Sequence, residues 1–311
     1  MRTHWTTADI PDQRGRVAVV TGANGGLGLV VARELARRGA DVVLACRDAV
    51  KGGAAAAQIL DAIPAAQLEV VPLDLRDVAA VRRACRQIAA RHDRVDLLVN
   101  NAGVMATAKA TTAGGVELQF ATNHLGHFAL TGLLLERLLS APAARVVTVS
   151  SVFHRIGTVD AELLHRRPYR RWRAYARSKL ANVLFGLELE RRAAAAGTPL
   201  RSMTAHPGYA ATKLQTAGFE SAPARLAMAA ASGAFAQSPY MGALPILYAA
   251  TAPALAGGTF VGPGAAGGLR GFPRHARPAA RARDPHAAAR LWRASERLTG
   301  VDYDFAAAAR G

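Results

Sequence analysis

The sequence predicts one α/β domain built on a doubly wound parallel sheet, and three observations carry that prediction. Short β-branched apolar runs alternate with longer helical stretches along most of the chain. A glycine-rich turn, Gly22 to Gly28, joins the first apolar run to the first helical stretch. No internal repeat and no long linker breaks the alternation into separate domains. The 311 residues, 51% of them apolar, are enough to bury one large core.

In chain order, residues 1–15 read as an N-terminal arm with a turn signal at Pro11-Asp12. Arg16–Thr21 has the profile of a buried parallel strand. Thr21-Gly22-Ala23-Asn24-Gly25-Gly26-Leu27-Gly28 follows, and Leu29–Arg38 is helical up to Gly39, a natural C-cap. Between a strand and a helix, such glycines let backbone N–H groups reach a pyrophosphate at the helix N-terminus. The plainer alternative is a tight βα turn. A second strand is expected at Asp41–Cys46. Sites that prefer NAD(H) usually end this strand with an acidic residue for the ribose 2′-hydroxyl. Arg47 stands there instead, followed by Asp48. A guanidinium can pair with a 2′-phosphate, so the sequence favours NADP(H) over NAD(H). Lys51 is either a further charge in that pocket or a surface charge at a helix start.

A helix over Gly53–Ile63, a strand at Leu68–Leu73 and the pair Asp74-Leu75 come next. A helix over Val78–His92 leads to a strand at Asp96–Asn100, followed by Asn101-Ala102-Gly103. Val116–Leu139 reads as one long helix with Asn123 inside it. Arg145–Ser150 is a fifth strand that runs into Ser151. A helix carrying Tyr175 and Lys179 reaches about Ala196 and stops at Gly197. Leu200–Ala205 is a sixth strand, ended by His206-Pro207-Gly208. Lys213–Gln237 is Ala-rich and irregular, Pro239–Ala250 is helical and Thr259–Val261 is a short seventh strand. A Gly/Pro/Arg-rich tail then reaches Arg283, and a last helix spans Pro285–Thr299.

Composition narrows the function classes. Cys46 and Cys85 offer neither a disulfide framework nor a C-x-x-C metal pattern, which suits a reducing cytoplasm. No stretch approaches a membrane span, and residues 1–15 lack the apolar core of a signal peptide, so a soluble cytoplasmic protein with no membrane partner is expected. The formal charge of +17 would suit a nucleic-acid binder, but arginine is spread along the chain beside abundant alanine, so compositional bias is the preferred explanation and no nucleic-acid partner is expected. His124 and His127 have no third ligand nearby in sequence and read as helix or loop residues rather than a metal site.

The chemistry centres on Tyr175 and Lys179. Four residues apart on a helix, they share one face. Free Tyr titrates near ~10 and free Lys near ~10.4, and an ammonium beside a phenol lowers the phenol. Alone, the pair could equally be a solvated helix face. Its company changes that reading. Thr21 to Gly28, Asp74, Asn100 to Gly103, Asn123, Ser151, Tyr175-x-x-x-Lys179 and Pro207-Gly208 with Thr212 occur in order. Together they resemble the short-chain dehydrogenase/reductase superfamily over nearly the whole chain. Within it, Asn123-His124-Leu125-Gly126-His127-Phe128 and Ser178-Lys179-Leu180-Ala181-Asn182 resemble the retinol dehydrogenase and protochlorophyllide reductase branch.

The resemblance implies a Rossmann fold of about seven strands and an NADP(H)-dependent oxidoreductase acting on a small-molecule carbonyl or alcohol. It implies that Gly22, Gly26 and Gly28 cradle the pyrophosphate, with Asn24, Gly25 and Leu27 in the same turn. Arg47 would face the 2′-phosphate and Asp74 and Leu75 the adenine. Asn101, Ala102 and Gly103 would line the cofactor, and Pro207, Gly208 and Thr212 would sit by the nicotinamide. Tyr175 would be the acid/base, Lys179 its tuner and a ribose ligand, Ser151 a donor to the carbonyl oxygen, and Asn123 a relay through water to Lys179. Gly25 stands where many relatives carry Ser. The stretch between Ser151 and Tyr175 is longer than is common and rich in Arg and His. With Lys213–Gln237 it is expected to form the substrate pocket, whose Ala, Leu, Met and Phe suggest an apolar substrate. A homodimer through the two long helices is possible in this superfamily. The alternative function is a non-enzymatic NADP(H) sensor on the same fold.

Overall fold

The computed structural model describes residues 4–159, 169–210 and 237–306. The elements run β1 Val17–Thr21, α1 Gly26–Arg37, β2 Asp41–Cys46, α2 Ala49–Ala62, β3 Leu68–Pro72, α3 Val78–Ala89 and β4 Leu97–Asn100. They continue α4 Leu118–Phe120, α5 Gly126–Leu133, α6 Leu135–Leu139, β5 Arg145–Val149, α7 Arg171–Ala195 and β6 Arg201–Ala205. The last are α8 Pro239–Thr251, β7 Phe260–Ala265, β8 Arg270–His275 and α9 Pro285–Thr299. The strands form one sheet in the order β3-β2-β1-β4-β5-β6-β7-β8, parallel except for the β7–β8 pair.

Side-chain alternation builds the two layers. Successive strand residues point to opposite faces, so Ala18 and Val20 join one apolar cluster and Val19 the other. The first cluster lies under α1, α2 and α8, and includes Leu35, Ile59 and Ile246. The second lies under α3, α5, α6 and α7, and includes Ile88, Leu130, Leu138 and Phe185. Both faces of the central strands β1 and β4 are buried, which is why they read as continuous apolar runs.

The structure corrects three expectations. An eighth strand, β8, lies in the Gly/Pro/Arg-rich tail and pairs antiparallel with β7. Period-two alternation is weak there, because Gly271 and Pro273 fall within the strand. The helix expected over Val116–Leu139 is broken into α4, a π-helical segment Ala121–Leu125, α5 and α6. Gly126 follows that segment in ordinary helical backbone, and its place is reserved for glycine because a Cβ there would collide with the Leu75 carbonyl oxygen. The N-terminal arm is docked rather than loose: Thr6 and Asp9 form a capping box, Ile10 is buried, and Arg38 Nη2 donates to the carbonyls of Thr7 and Ala8 at 2.8 and 2.7 Å. Thr212, residues 213–236 of the expected substrate loop and residues 160–168 lie outside the described residues.

The C-terminal extension is part of the core. α9 packs on α7, α5 and the π-helical segment. Trp292 is 1% exposed, its ring centroid 4.5 Å from Tyr303 and 5.1 Å from Phe128, with the Arg192 guanidinium 4.4 Å above it. Its indole N–H donates to Glu296 Oε1 at 2.6 Å. Trp292→Ala is therefore expected to cost about 3–5 kcal/mol, read as a lower denaturant midpoint. An unchanged midpoint would show that α9 is only loosely attached. Among the described residues no helix is long and apolar enough to cross a membrane.

Candidate active site

The chain leaves β1 for β2 on one side and returns to β4 on the other, so a crevice opens at the carboxyl ends of β1 and β4. The glycine turn lines it. Gly22 has φ +66°, and a Cβ there would lie 3.0 Å from the Ala102 Cα. At Gly28 a Cβ would overlap the Gly22 carbonyl oxygen and sit 2.6 Å from Asn101 Nδ2. Gly25 caps α1 with no side-chain hydrogen bond, and nothing lies within 4 Å of a Cβ built on it. The first N–H groups of a 12-residue helix are thus left for an anion, over a turn too tight for side chains at Gly22 and Gly28. Asn24 is half-buried, and Leu27 packs beside Gly242 of α8.

Asn101 holds the two strand ends together. Its Nδ2 donates to the Thr21 carbonyl at 2.8 Å, and the N–H groups of Asn101 and Ala102 both donate to Thr21 Oγ1 at 2.9 Å. Arg47 is exposed at the end of β2. Asp74 is ion-paired with Arg76, whose side-chain hydrogen bond, ahead of the charges of Arg76 and Arg47, holds its carboxyl below the usual range. Leu75 is buried beside it. Lys51 pairs with Asp48 at 3.0 Å at the start of α2, which accounts for it as a surface charge. A cavity of about 520 Å³ opens beside Asp74 and Leu75 and reaches Leu125 and Gly126.

The groups with proton chemistry gather on the other side of Gly103. A Cβ on Gly103 would lie 3.1 Å from Asn123 Oδ1 and 3.6 Å from Lys179 Nζ. Asn123 clamps the backbone of Val104, accepting its N–H at 2.7 Å and donating to its carbonyl at 2.9 Å. It also donates to Ser178 Oγ at 2.9 Å. Ser150 donates to the Lys179 carbonyl at 2.8 Å and is a structural strand-end residue. Ser151 Oγ accepts the Phe153 N–H at 3.4 Å and lies near enough to the Tyr175 phenol to pull its pKa down slightly. Lys179 Nζ lies 5.8 Å from the Tyr175 ring centroid and donates to the Val149 carbonyl at 3.1 Å.

The electrostatics differ from the expectation of a lowered phenol. Burial pushes Tyr175 up to about 12, against a smaller downward pull from the Ser151 hydrogen bond. Burial likewise pushes Lys179 down to about 8. Burial dominates both groups, and the Lys179 ammonium spends a donor on the Val149 carbonyl. At neutral pH the arrangement is therefore a protonated phenol beside an ammonium.

Beyond β6, Gly208 has φ +67° and its chain neighbour Tyr209 donates to the Leu269 carbonyl at 2.8 Å. Pro207 accepts from Gln237 Nε2 at 2.7 Å. The Gly22–Gly28 turn, Asn123, Ser151, Tyr175 and Lys179 thus stand at one end of one sheet. The family model for short chain dehydrogenases matches residues 16–222. The chain belongs to the short-chain dehydrogenase family. It is accordingly an oxidoreductase by family. It is similar to human retinol dehydrogenase 13, with 39% identity over 93% of this chain and 86% of that protein. A crystal structure of an uncharacterized protein from Mycobacterium paratuberculosis shares 46% identity over 97% of this chain and 100% of that one, with a TM-score of 0.81. A structure described as an NAD(P) dependent gluconate 5-dehydrogenase from Beutenbergia cavernae, with bound NADP, shares 29% identity over 78% of this chain and 92% of that one, with a TM-score of 0.59.

This short-chain dehydrogenase also uses residues that sequence reasoning passed over. His154 Nδ1 donates to the Ser151 carbonyl at 2.7 Å, and its Nε2 accepts the Ala279 N–H at 3.2 Å, tying the Ser151 segment to the C-terminal extension. His206 stacks on Phe260 with centroids 5.2 Å apart. His124 pairs with Ser295 of α9 at 2.9 Å. Only the His124/His127 spacing within the Asn123 motif hinted at any of these, since the partners are up to 171 residues away.

Proposed function

We propose that this short-chain dehydrogenase transfers hydride between NADP(H) and an apolar aldehyde, ketone or alcohol. The observation that carries the reading is the convergence of Ser151, Tyr175 and Lys179 beside the glycine turn. The residues present fit the cofactor: Gly22 and Gly28 close a turn too tight for side chains, Gly26 adopts φ +55°, and the first N–H groups of α1 stand beyond them for a pyrophosphate. Arg47 supplies an exposed guanidinium for a 2′-phosphate, Asp74 and Leu75 flank the cavity for the adenine, and Asn101, Ala102, Gly103, Pro207 and Gly208 line the way to the nicotinamide. Bound there, NADPH supplies the hydride.

The chain's own residues then handle the carbonyl oxygen. As negative charge grows on it, Ser151 and Tyr175 donate hydrogen bonds, and Tyr175 delivers the proton. Burial keeps the phenol protonated until that moment. The Lys179 ammonium, close by, stabilises the phenolate that remains. Asn123 Oδ1 and Lys179 Nζ both border the space that a side chain on Gly103 would fill, room for a water that relays between them. Oxidation of an alcohol reverses each step. An apolar substrate is supported by Phe153, whose ring lies 5.6 Å from Tyr175 and 5.4 Å from Trp172, and by the retinol dehydrogenase relative. A homodimer through α5 and α7 would have to accommodate α9, which packs on both.

The test is NADPH oxidation by the purified protein with a panel of apolar aldehydes and ketones. Turnover is expected; tight NADPH binding with no turnover on any of them would revive the sensor reading. Arg47→Ala is expected to weaken NADPH binding about 10- to 100-fold, the worth of a charge-assisted hydrogen bond, while leaving NADH binding unchanged. Equal losses for both cofactors would remove Arg47 from the 2′-phosphate.

A further inference from the structure

We propose that His127 is a positioning residue that fastens the Asn123 carbonyl to Thr21 at the mouth of the glycine turn, so that the π-helical segment carrying Asn123 and the cofactor turn keep one register. The proposal rests on the oxidoreductase reading above. His127 is 1% exposed and bridges two elements far apart in sequence. Its Nδ1 is 3.0 Å from the Asn123 carbonyl oxygen and its Nε2 is 2.9 Å from Thr21 Oγ1. A carbonyl can only accept, so Nδ1 carries the proton and donates.

The other ring nitrogen follows from counting protons. Thr21 Oγ1 already accepts from the N–H groups of Asn101 and Ala102, which fills both of its lone pairs. Its own hydroxyl proton is then free to go to His127 Nε2 at 2.9 Å, a better distance than the 3.3 Å to the Val99 carbonyl. An imidazolium would bring a third donor to that oxygen. The ring is accordingly neutral, and burial together with the nearby Lys179 charge pushes it down to about 4. The result is a directed chain: the Asn101 and Ala102 N–H groups to Thr21, Thr21 to His127, His127 to the Asn123 carbonyl. Hydrogen bonds in such a chain polarise one another.

The location gives the chain a purpose. Thr21 immediately precedes Gly22, and Asn123 sits in the π-helical segment, whose backbone register departs from that of a regular helix. Asn123 in turn holds Val104 and approaches Gly103, next to Lys179. Without His127, the hydroxyl of Thr21 can turn to Val99 and still accept from Asn101 and Ala102. The cofactor turn would keep its shape while Asn123 lost its anchor.

The experiment compares His127→Leu with His127→Gln, whose amide also carries a donor and an acceptor close together. His127→Leu is expected to lower kcat about 10- to 100-fold, as small misplacements near a reacting centre do, with NADPH affinity near that of the wild type. His127→Gln is expected to recover most of kcat. Nitrogen-15 spectra of the wild-type imidazole should show the neutral Nδ1–H tautomer from pH 8 to pH 5. A folded His127→Leu variant with wild-type kcat, or a Gln variant as slow as Leu, overturns the positioning role. An Nε2–H tautomer overturns the hydrogen-bond chain even if no variant folds. A wild type inactive on every carbonyl overturns the oxidoreductase reading instead, and the tautomer then still reports whether the chain exists.

Discussion

Tyr175→Phe is expected to lower kcat for carbonyl reduction by about 10²- to 10⁴-fold, the range associated with a positioned general acid. Phe keeps the ring that packs 5.6 Å from Phe153 and removes only the hydroxyl of a residue that is 5% exposed. Stability and NADPH affinity should be unchanged, since the glycine turn makes no use of the phenol. The accompanying pH dependence has a definite sign. Lys179 is pushed down to about 8, so its charge is present below that pH and lost above it. Tyr175 stays protonated until about 12, so the acid is not what runs out. Reduction should be level at lower pH and decline as pH rises through about 8, because the ammonium no longer stabilises the forming phenolate. Steady-state kinetics of wild type and Tyr175→Phe from pH 6 to 10 read both effects. A Phe variant with wild-type turnover would remove Tyr175 from the chemistry. A wild-type profile rising through pH 8 would reverse the assigned role of Lys179.

Gly28→Val is expected to abolish NADPH binding and to destabilise the fold, because its Cβ would enter the Gly22 carbonyl and the Asn101 amide. Overpacking of this kind costs about 1–3 kcal/mol, and the turn cannot relax without moving the α1 N-terminus. Gly25→Ser makes the contrast. Gly25 has φ 173°, an extended backbone open to any residue, and nothing lies within 4 Å of its Cβ position. Its stability should match the wild type, with NADPH binding equal or tighter through the added hydroxyl. Thermal melts and fluorescence titrations with NADPH measure both variants. Equal tolerance at the two positions would mean that the turn does not grip a phosphate.

How much was legible follows from how local each signal is. The G-x-x-x-G-x-G turn is contiguous, and Gly22 and Gly28 do lie where side chains would crowd the backbone. Tyr175 and Lys179 share a helix face by spacing alone, and the last helix was readable to the residue from Asp284, Pro285 and Gly300. The need for glycine at position 126 was not readable, because what crowds it is the carbonyl of Leu75, 51 residues earlier. β8 was hidden because a Gly- and Pro-containing edge strand lacks the alternation by which strands are recognised.

The sequence by itself determined the layered architecture and the contiguous glycine turn, and it placed Tyr175 and Lys179 on one helix face; the resemblance to the family proposed these two, with Ser151, as the reactive set. The first three rest on periodicity or spacing within one segment, which survives without knowing what packs against it. Only the tertiary structure decided the protonation of that set, the docking of α9 over α7, and the linkage of Thr21 through His127 to Asn123. Those depend on burial and on hydrogen bonds between segments up to 106 residues apart in this linkage, and desolvation has no signature in a linear chain.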